Sequence, residues 1–129
     1  MKDIFKPGDS KVYQKKVTEQ DAAIFQGEML HPVYSTFALA RDFEWSSRLF
    51  FLEMKEDDEE GVGTFLQIEH HSPAHIGDQV TIRATVESII GNELICIIEA
   101  RTDARLIASG KTGQKMLKKE KLKILFGHD

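Results

Sequence analysis

Val80-Thr81-Ile82-Arg83-Ala84-Thr85-Val86-Glu87 alternates apolar and polar side chains without a slip. Period-two patterning of this kind describes a strand with one face buried and the other wet. Gly91-Asn92 interrupts the run and Leu94 to Ala100 resumes it, which is a hairpin signal. Thr102-Asp103-Ala104 marks a second turn, and Leu106 to Met116 follows as another strand. With Thr64 to His71 ahead of them, these segments make four consecutive strands joined by turns, hence an antiparallel meander. Residues 9–17 supply a fifth strand.

Between that fifth strand and the meander lies the helical part of the chain. Thr18-Glu19-Gln20-Asp21 offers an N-cap and an acidic first turn for a short helix reaching about Phe25. The main helix is expected from about Thr36 to Leu52, with Ser35 or Thr36 as its cap. Its apolar positions, among them Phe37, Leu39, Phe43, Leu49 and Phe50, are interrupted on several sides by Arg41, Asp42, Glu44, Ser46, Ser47 and Arg48. The fold class is therefore α+β: a curved antiparallel sheet of about five strands around one long central helix, the hotdog architecture. Such a sheet leaves exposed edges, and pairing edge to edge with a second copy is the expected remedy.

The chain has 129 residues, the length of one domain spanning 1–129, and can bury about two-thirds of its extended surface. Hydrophobic residues make 41% and charged residues 29%, ordinary for a globular protein. A net charge of −4 argues against a general nucleic-acid binder. Met1 to Gly8 has no apolar core of a signal peptide, and no apolar run is long enough to span a membrane. Cys96 is the single cysteine, so no internal disulfide is possible and a reducing, cytoplasmic setting is expected. Cys96 itself reads as core. No Cys/His spacing suits a metal, and no phosphate- or dinucleotide-binding glycine motif occurs. Residues 53–60 carry six acids and one lysine and read as a solvated loop; residues 111–123 carry six lysines and one glutamate.

Three polar residues stand where packing alone would not put them. Glu44 lies mid-helix between Phe43 and Trp45, and two readings stay open for it: a solvent-facing carboxylate, or a partly desolvated one with base character. Thr36 opens the helix, either as a cap or as a hydroxyl beside free N–H groups that hold a developing oxyanion. His70 ends a strand in which Thr64, Leu66, Ile68 and His70 alternate with Phe65, Gln67, Glu69 and His71. His70 thereby follows the apolar inward face and His71 the polar one, so the imidazole is either structural or a proton carrier. Thr36 and Glu44 are eight residues apart, about 12 Å along one helix, too far to touch.

The stretches Val33-Tyr34-Ser35-Thr36-Phe37-Ala38-Leu39-Ala40-Arg41-Asp42-Phe43-Glu44-Trp45, Gly63 to His70 and Pro73 to Val80 resemble the fluoroacetyl-CoA thioesterase-like branch of the hotdog superfamily. That family's threonine, helix glutamate and strand histidine, with a glycine seven positions before the histidine, fall on Thr36, Glu44, His70 and Gly63. The resemblance covers roughly residues 10–118 and implies an acyl-CoA thioesterase that works without cofactor or metal, as a homodimer, with a tetramer left open. It makes Glu44 the carboxylate that activates water or attacks the carbonyl. Thr36 then positions the acyl group and His70 moves a proton towards the departing thiolate. Gly63 lets the substrate approach the backbone closely. Phe37 is a candidate wall of the acyl pocket, and Lys111 and Lys115, with Lys118 and Lys119, are candidate contacts for the CoA phosphates or else a strand end blunted by charge. Arg41 and Asp42 depart from a largely apolar family helix and are expected to pair with each other or face a partner subunit. A silent acyl-CoA-binding module and an enoyl-CoA hydratase or dehydratase are the competing readings.

Overall fold

In the computed structural model, which describes residues 1–103 and 105–127, seven strands and two helices follow in the order β1 (Ser10–Lys16), β2 (Ala22–Phe25), β3 (Glu28–Tyr34), α1 (Thr36–Met54), β4 (Glu59–His70), β5 (Gln79–Ile90), β6 (Glu93–Thr102), β7 (Arg105–Lys118) and α2 (Lys119–Leu125). Five of the strands form one antiparallel sheet in the order β1-β5-β6-β7-β4. The sheet holds α1 against one face, as the hotdog reading expects. Among the described residues no helix is long and apolar enough to cross a membrane.

The alternation in β5 is borne out directly. Val80, Ile82, Ala84 and Val86 are all buried, as are Leu94, Cys96, Ile98 and Ala100 on β6. They pack against Leu39, Phe43, Phe50, Phe51 and Met54 of α1. Burial pushes the Cys96 thiol up to about 12, so it stays protonated and inert at neutral pH. Gly91 has φ +60 at the two-residue β5–β6 turn, where a side chain would be strained.

Three expectations are corrected and one hairpin is added. The short helix after Thr18 is a single 3₁₀ turn, Glu19–Asp21, and the chain then enters β2. Strands β2 and β3 form a hairpin closed by Gln26 and Gly27, both with positive φ (51 and 82), the geometry of a type I′ turn. The acidic block is not one loop: α1 runs on to Met54 and β4 starts at Glu59, which is buried. Finally, the lysine-rich tail leaves the sheet at Lys118 and becomes α2. The second turn expected at residues 102–104 includes Ala104, which lies outside the described residues.

Ser35 caps α1, its Oγ accepting from the Ala38 N–H at 3.0 Å. The charges that spoil the apolar stripe of α1 find partners. Arg41 donates to Asp42 (3.1 Å) and to Asp21 (2.8 Å), and Lys15 reaches both carboxylates at 2.8 and 3.2 Å. Tyr34 donates its hydroxyl to Asp42 in a short hydrogen bond. Asp21 and Asp42 are almost fully buried, so this network ties β1, the 3₁₀ turn and β3 to the first half of α1. Burial would raise the Asp21 carboxyl. The hydrogen bonds from Lys15, Arg41 and Thr18 outweigh it and hold that group well below the usual carboxylate range.

A carboxyl depressed in the folded state stabilises the fold above its unfolded value near 4, and that contribution is lost as pH falls through the folded value. Unfolding by urea is accordingly expected to become easier below about pH 4. Asp21→Asn should weaken the protein by about 1–3 kcal/mol at pH 7, since Lys15 and Arg41 keep only Asp42 as a carboxylate partner, and should flatten the acid slope. An unchanged slope in that variant would assign the acid sensitivity elsewhere.

Candidate active site

Helix α1 and strand β4 run antiparallel along one another, and two of their contacts bring the candidate residues together. At one end Thr36 Oγ1 lies 2.7 Å from His70 Nε2. At the other, the Glu44 carboxylate rests on Gly63: a Cβ there would meet Glu44 Cδ at 3.3 Å and its Oε1 closer still. One turn further along, Phe51 and Arg48 occupy the space above Gly61 in the same way. The positions 44, 48 and 51 form one face of a helix, and the two glycines leave the strand bare beneath it.

Strict alternation would put Gly63 and His70 on opposite faces of β4. A β-bulge resolves this. Gly63 pairs with Gln114 and Phe65 with Gly113, so Thr64 is the extra residue. It changes the parity: Gly61 and Gly63 face α1 before it, and Leu66, Ile68 and His70 face α1 after it. The expected pairing of Thr64 with the Leu66 face is therefore corrected, since the Thr64 hydroxyl lies beside Phe65 at the outward side of Gly113, within 2.8 Å of where a Cβ would stand. His70 follows the inward face as expected. His71, on the other face, meets Ser109 at 2.7 Å.

Thr36, His70 and Glu44 are all exposed in the single chain, and no hydrogen bond among the described residues links Glu44 to the Thr36–His70 pair. Glu44 is thus a solvent-facing carboxylate here. A groove of about 240 Å³ beside it is lined by Glu44, Gly63, Thr64, Phe65 and Leu66. What approaches Gly63 closely within the chain is the Glu44 carboxylate itself. The N–H groups of Thr36 and Phe37 precede the first intrahelical bonds of α1 and point from its positive end.

Phe37 is 83% exposed and lines a second cavity of about 390 Å³ together with Ala38, Ala23, Ile24 and Phe25. The β2–β3 hairpin that builds this cavity was missed from sequence; Ala22 to Phe25 followed by Gln26-Gly27 was its signal. Lys111 and Lys115 are not brought to the groove. Gln114 faces α1, so by alternation Lys111 and Lys115 sit on the opposite face of the sheet, where Lys111 pairs with Glu87 at 2.9 Å. Among the described residues no group of three or more His, Cys, Asp or Glu side chains is arranged to hold a metal ion.

The family model of the fluoroacetyl-CoA-specific thioesterase matches residues 17–120. Among curated proteins no match to the chain is found. A Thermus thermophilus hypothetical protein, described as a thioesterase superfamily member, is 31% identical, with a TM-score of 0.89 over 94% of this chain and 90% of its own. A hot-dog-like protein from Thermanaerovibrio acidaminovorans is 21% identical, with a TM-score of 0.88 over 95% of this chain and 91% of its own. A mutant of the fluoroacetyl-CoA-specific thioesterase in complex with fluoroacetate and CoA is also 21% identical, with a TM-score of 0.83 over 92% of this chain and 99% of its own. A hotdog sheet around α1, Thr36 against His70, Glu44 against Gly63, and a family match over most of the chain converge on one statement: the chain belongs to the fluoroacetyl-CoA-specific thioesterase family.

Proposed function

We propose that the protein hydrolyses a small or medium acyl-CoA to the free acid and CoA, working as a homodimer. The observation that carries this reading is the placement of Thr36–His70 and Glu44–Gly63 along one α1–β4 seam. Thr36 and Glu44 of one chain stand about 12 Å apart along α1, so a thioester in the dimer offers its carbonyl carbon or the attacking water to Glu44 of one copy and its carbonyl oxygen to the helix N-terminus of the other. Thr36 and the N–H groups beside it stabilise negative charge developing on that oxygen. Glu44 removes a proton from water as it attacks, or adds to the carbonyl itself to give a mixed anhydride that water then cleaves to the free acid; His70 beside the Thr36 of that second copy gives a proton to the departing CoA thiolate. Fluoroacetyl preference belongs to the relatives; no residue described here distinguishes fluorine.

Glu44 needs cover to act as a strong base, and one chain does not supply it. The edge strand β4 is twelve residues long, and Phe65 and Leu66 on it are 44% and 42% exposed. Pairing of β4 with a second copy answers both the free edge and the uncovered groove. Lys111 and Lys115 meet the CoA phosphates only if the nucleotide reaches the outer face of the sheet.

Free thiol release from a panel of acyl-CoAs tests the central claim. Glu44→Ala should lower kcat by at least about 100-fold, and Thr36→Ala with His70→Ala should lose little more than either alone, because the two side chains act as a pair. Binding of acyl-CoA without any turnover by the wild-type protein would favour the silent module instead. Gly63→Ala pushes aside only the end of a flexible side chain, at a cost on the order of 1 kcal/mol, so it should keep its melting temperature nearly intact while losing most of its activity. Sedimentation equilibrium at micromolar concentration should return twice the 14.7 kDa chain mass; a monomer would leave Glu44 bare and sink the dimeric part of the reading.

A further inference from the structure

A buried polar side chain beside the seam has no role in the reaction outlined above. Gln114 of β7 is 2% exposed, and its Nε2 donates to the Glu44 main-chain oxygen at 3.1 Å and to Ser47 Oγ at 2.9 Å. Ser47 Oγ donates in turn to the same Glu44 oxygen at 3.0 Å. Gln114 is also the register partner of Gly63. One side chain therefore ties the backbone of the residue bearing the carboxylate to the strand position directly beside the glycine that the carboxylate covers.

The rest of the side chain argues that it is not there for packing. Gln114 Oε1, and Thr112 Oγ1 two residues away on the same face, are buried with no hydrogen-bond partner among the described residues. Methionine or leucine would fill a similar volume without stranding an acceptor, and buried polar groups without partners are disfavoured. What only Gln offers at this position is an N–H fork long enough to reach across from the sheet to α1.

We propose that Gln114 is a positioning residue for Glu44: its amide fixes the main chain of α1 so that the carboxylate seats against Gly63, and it influences turnover only through that placement. The kinetic part rests on the thioesterase reading; the geometric part does not. The test compares Gln114→Met, close in volume and without N–H donors, with Val80→Ala, a remote core change that also loosens the fold. For acetyl-CoA and hexanoyl-CoA, Gln114→Met should lower kcat by between about 10- and 100-fold with KM within about twofold, a loss in line with displacement of a reacting group by a fraction of an ångström. Val80→Ala should lose stability without that kcat change.

A Gln114→Met kcat within about twofold of wild type overturns the proposal, and so does a kcat loss that simply follows stability in both variants. Should the wild-type protein turn over neither ester, the thioesterase reading fails by itself. The inference is then read from the ¹³C resonance of the Glu44 carboxyl, identified by its disappearance in Glu44→Gln. A shift in Gln114→Met but not in Val80→Ala supports it, and an unmoved resonance overturns it.

Discussion

An α-helix can lie along a β-strand closely enough to place a carboxylate against its backbone only where the strand presents no side chains. In β4, Gly61 and Gly63 provide that bare track for Phe51 and Glu44 of α1. Alternation alone would then turn His70 outward, away from Thr36. The bulge at Thr64 reverses the parity once, so two glycines before it and the histidine after it face the same helix. The seam of the site is thus a consequence of one inserted residue, and of the antiparallel alignment that brings position 36 to 70 and position 44 to 63.

That alignment is held from both sides of α1. On the β1 side, the buried carboxylates of Asp21 and Asp42 are paired with Arg41, Lys15 and Tyr34. On the β7 side, Gln114 and Ser47 grip the Glu44 carbonyl. Neither device resembles the apolar ridge that usually seats a helix on a sheet. An ion network of this kind contributes little net stability over a hydrophobic isostere, but it admits few alternative registers, because any sliding of α1 leaves buried charges unpaired. In the proposed reaction Thr36 and Glu44 stand at fixed heights above β4, and intolerance to sliding then has a use which oily packing would not supply.

The strands β5 and β6 were legible because each is buried on one face, and a half-buried strand writes its environment into alternating side chains. Val80, Ile82, Ala84 and Val86 did so without exception. The β2–β3 hairpin did not: its apolar residues Ile24, Phe25, Met29 and Leu30 are exposed, so no alternation marks it, and Thr18 with Asp21 mimics a helix start. Thr36, Glu44 and His70 stood out as polar side chains where packing would not put them, with structural roles left open; resemblance to a family supplied their roles and added Gly63. The bulge that makes them neighbours left no mark in composition. Gln114 was passed over since a polar residue in a lysine-rich strand reads as solvated; its one signal is that Thr112, Gln114 and Met116 share the buried face while the lysines take the other.

Exposure of Glu44 in a single chain bears on how such a site works. A carboxylate in open water is a weak base towards a thioester's attacking water, and a flat groove of about 240 Å³ cannot exclude solvent from a long ester. Strength must come from what covers the groove. In the proposed reaction the pantetheine arm of the ester covers it in part. The free edge of β4, immediately beside it, invites a second sheet to cover the remainder. On the proposed reading both covers arrive at the same seam, so that assembly and substrate binding would act together on one carboxylate.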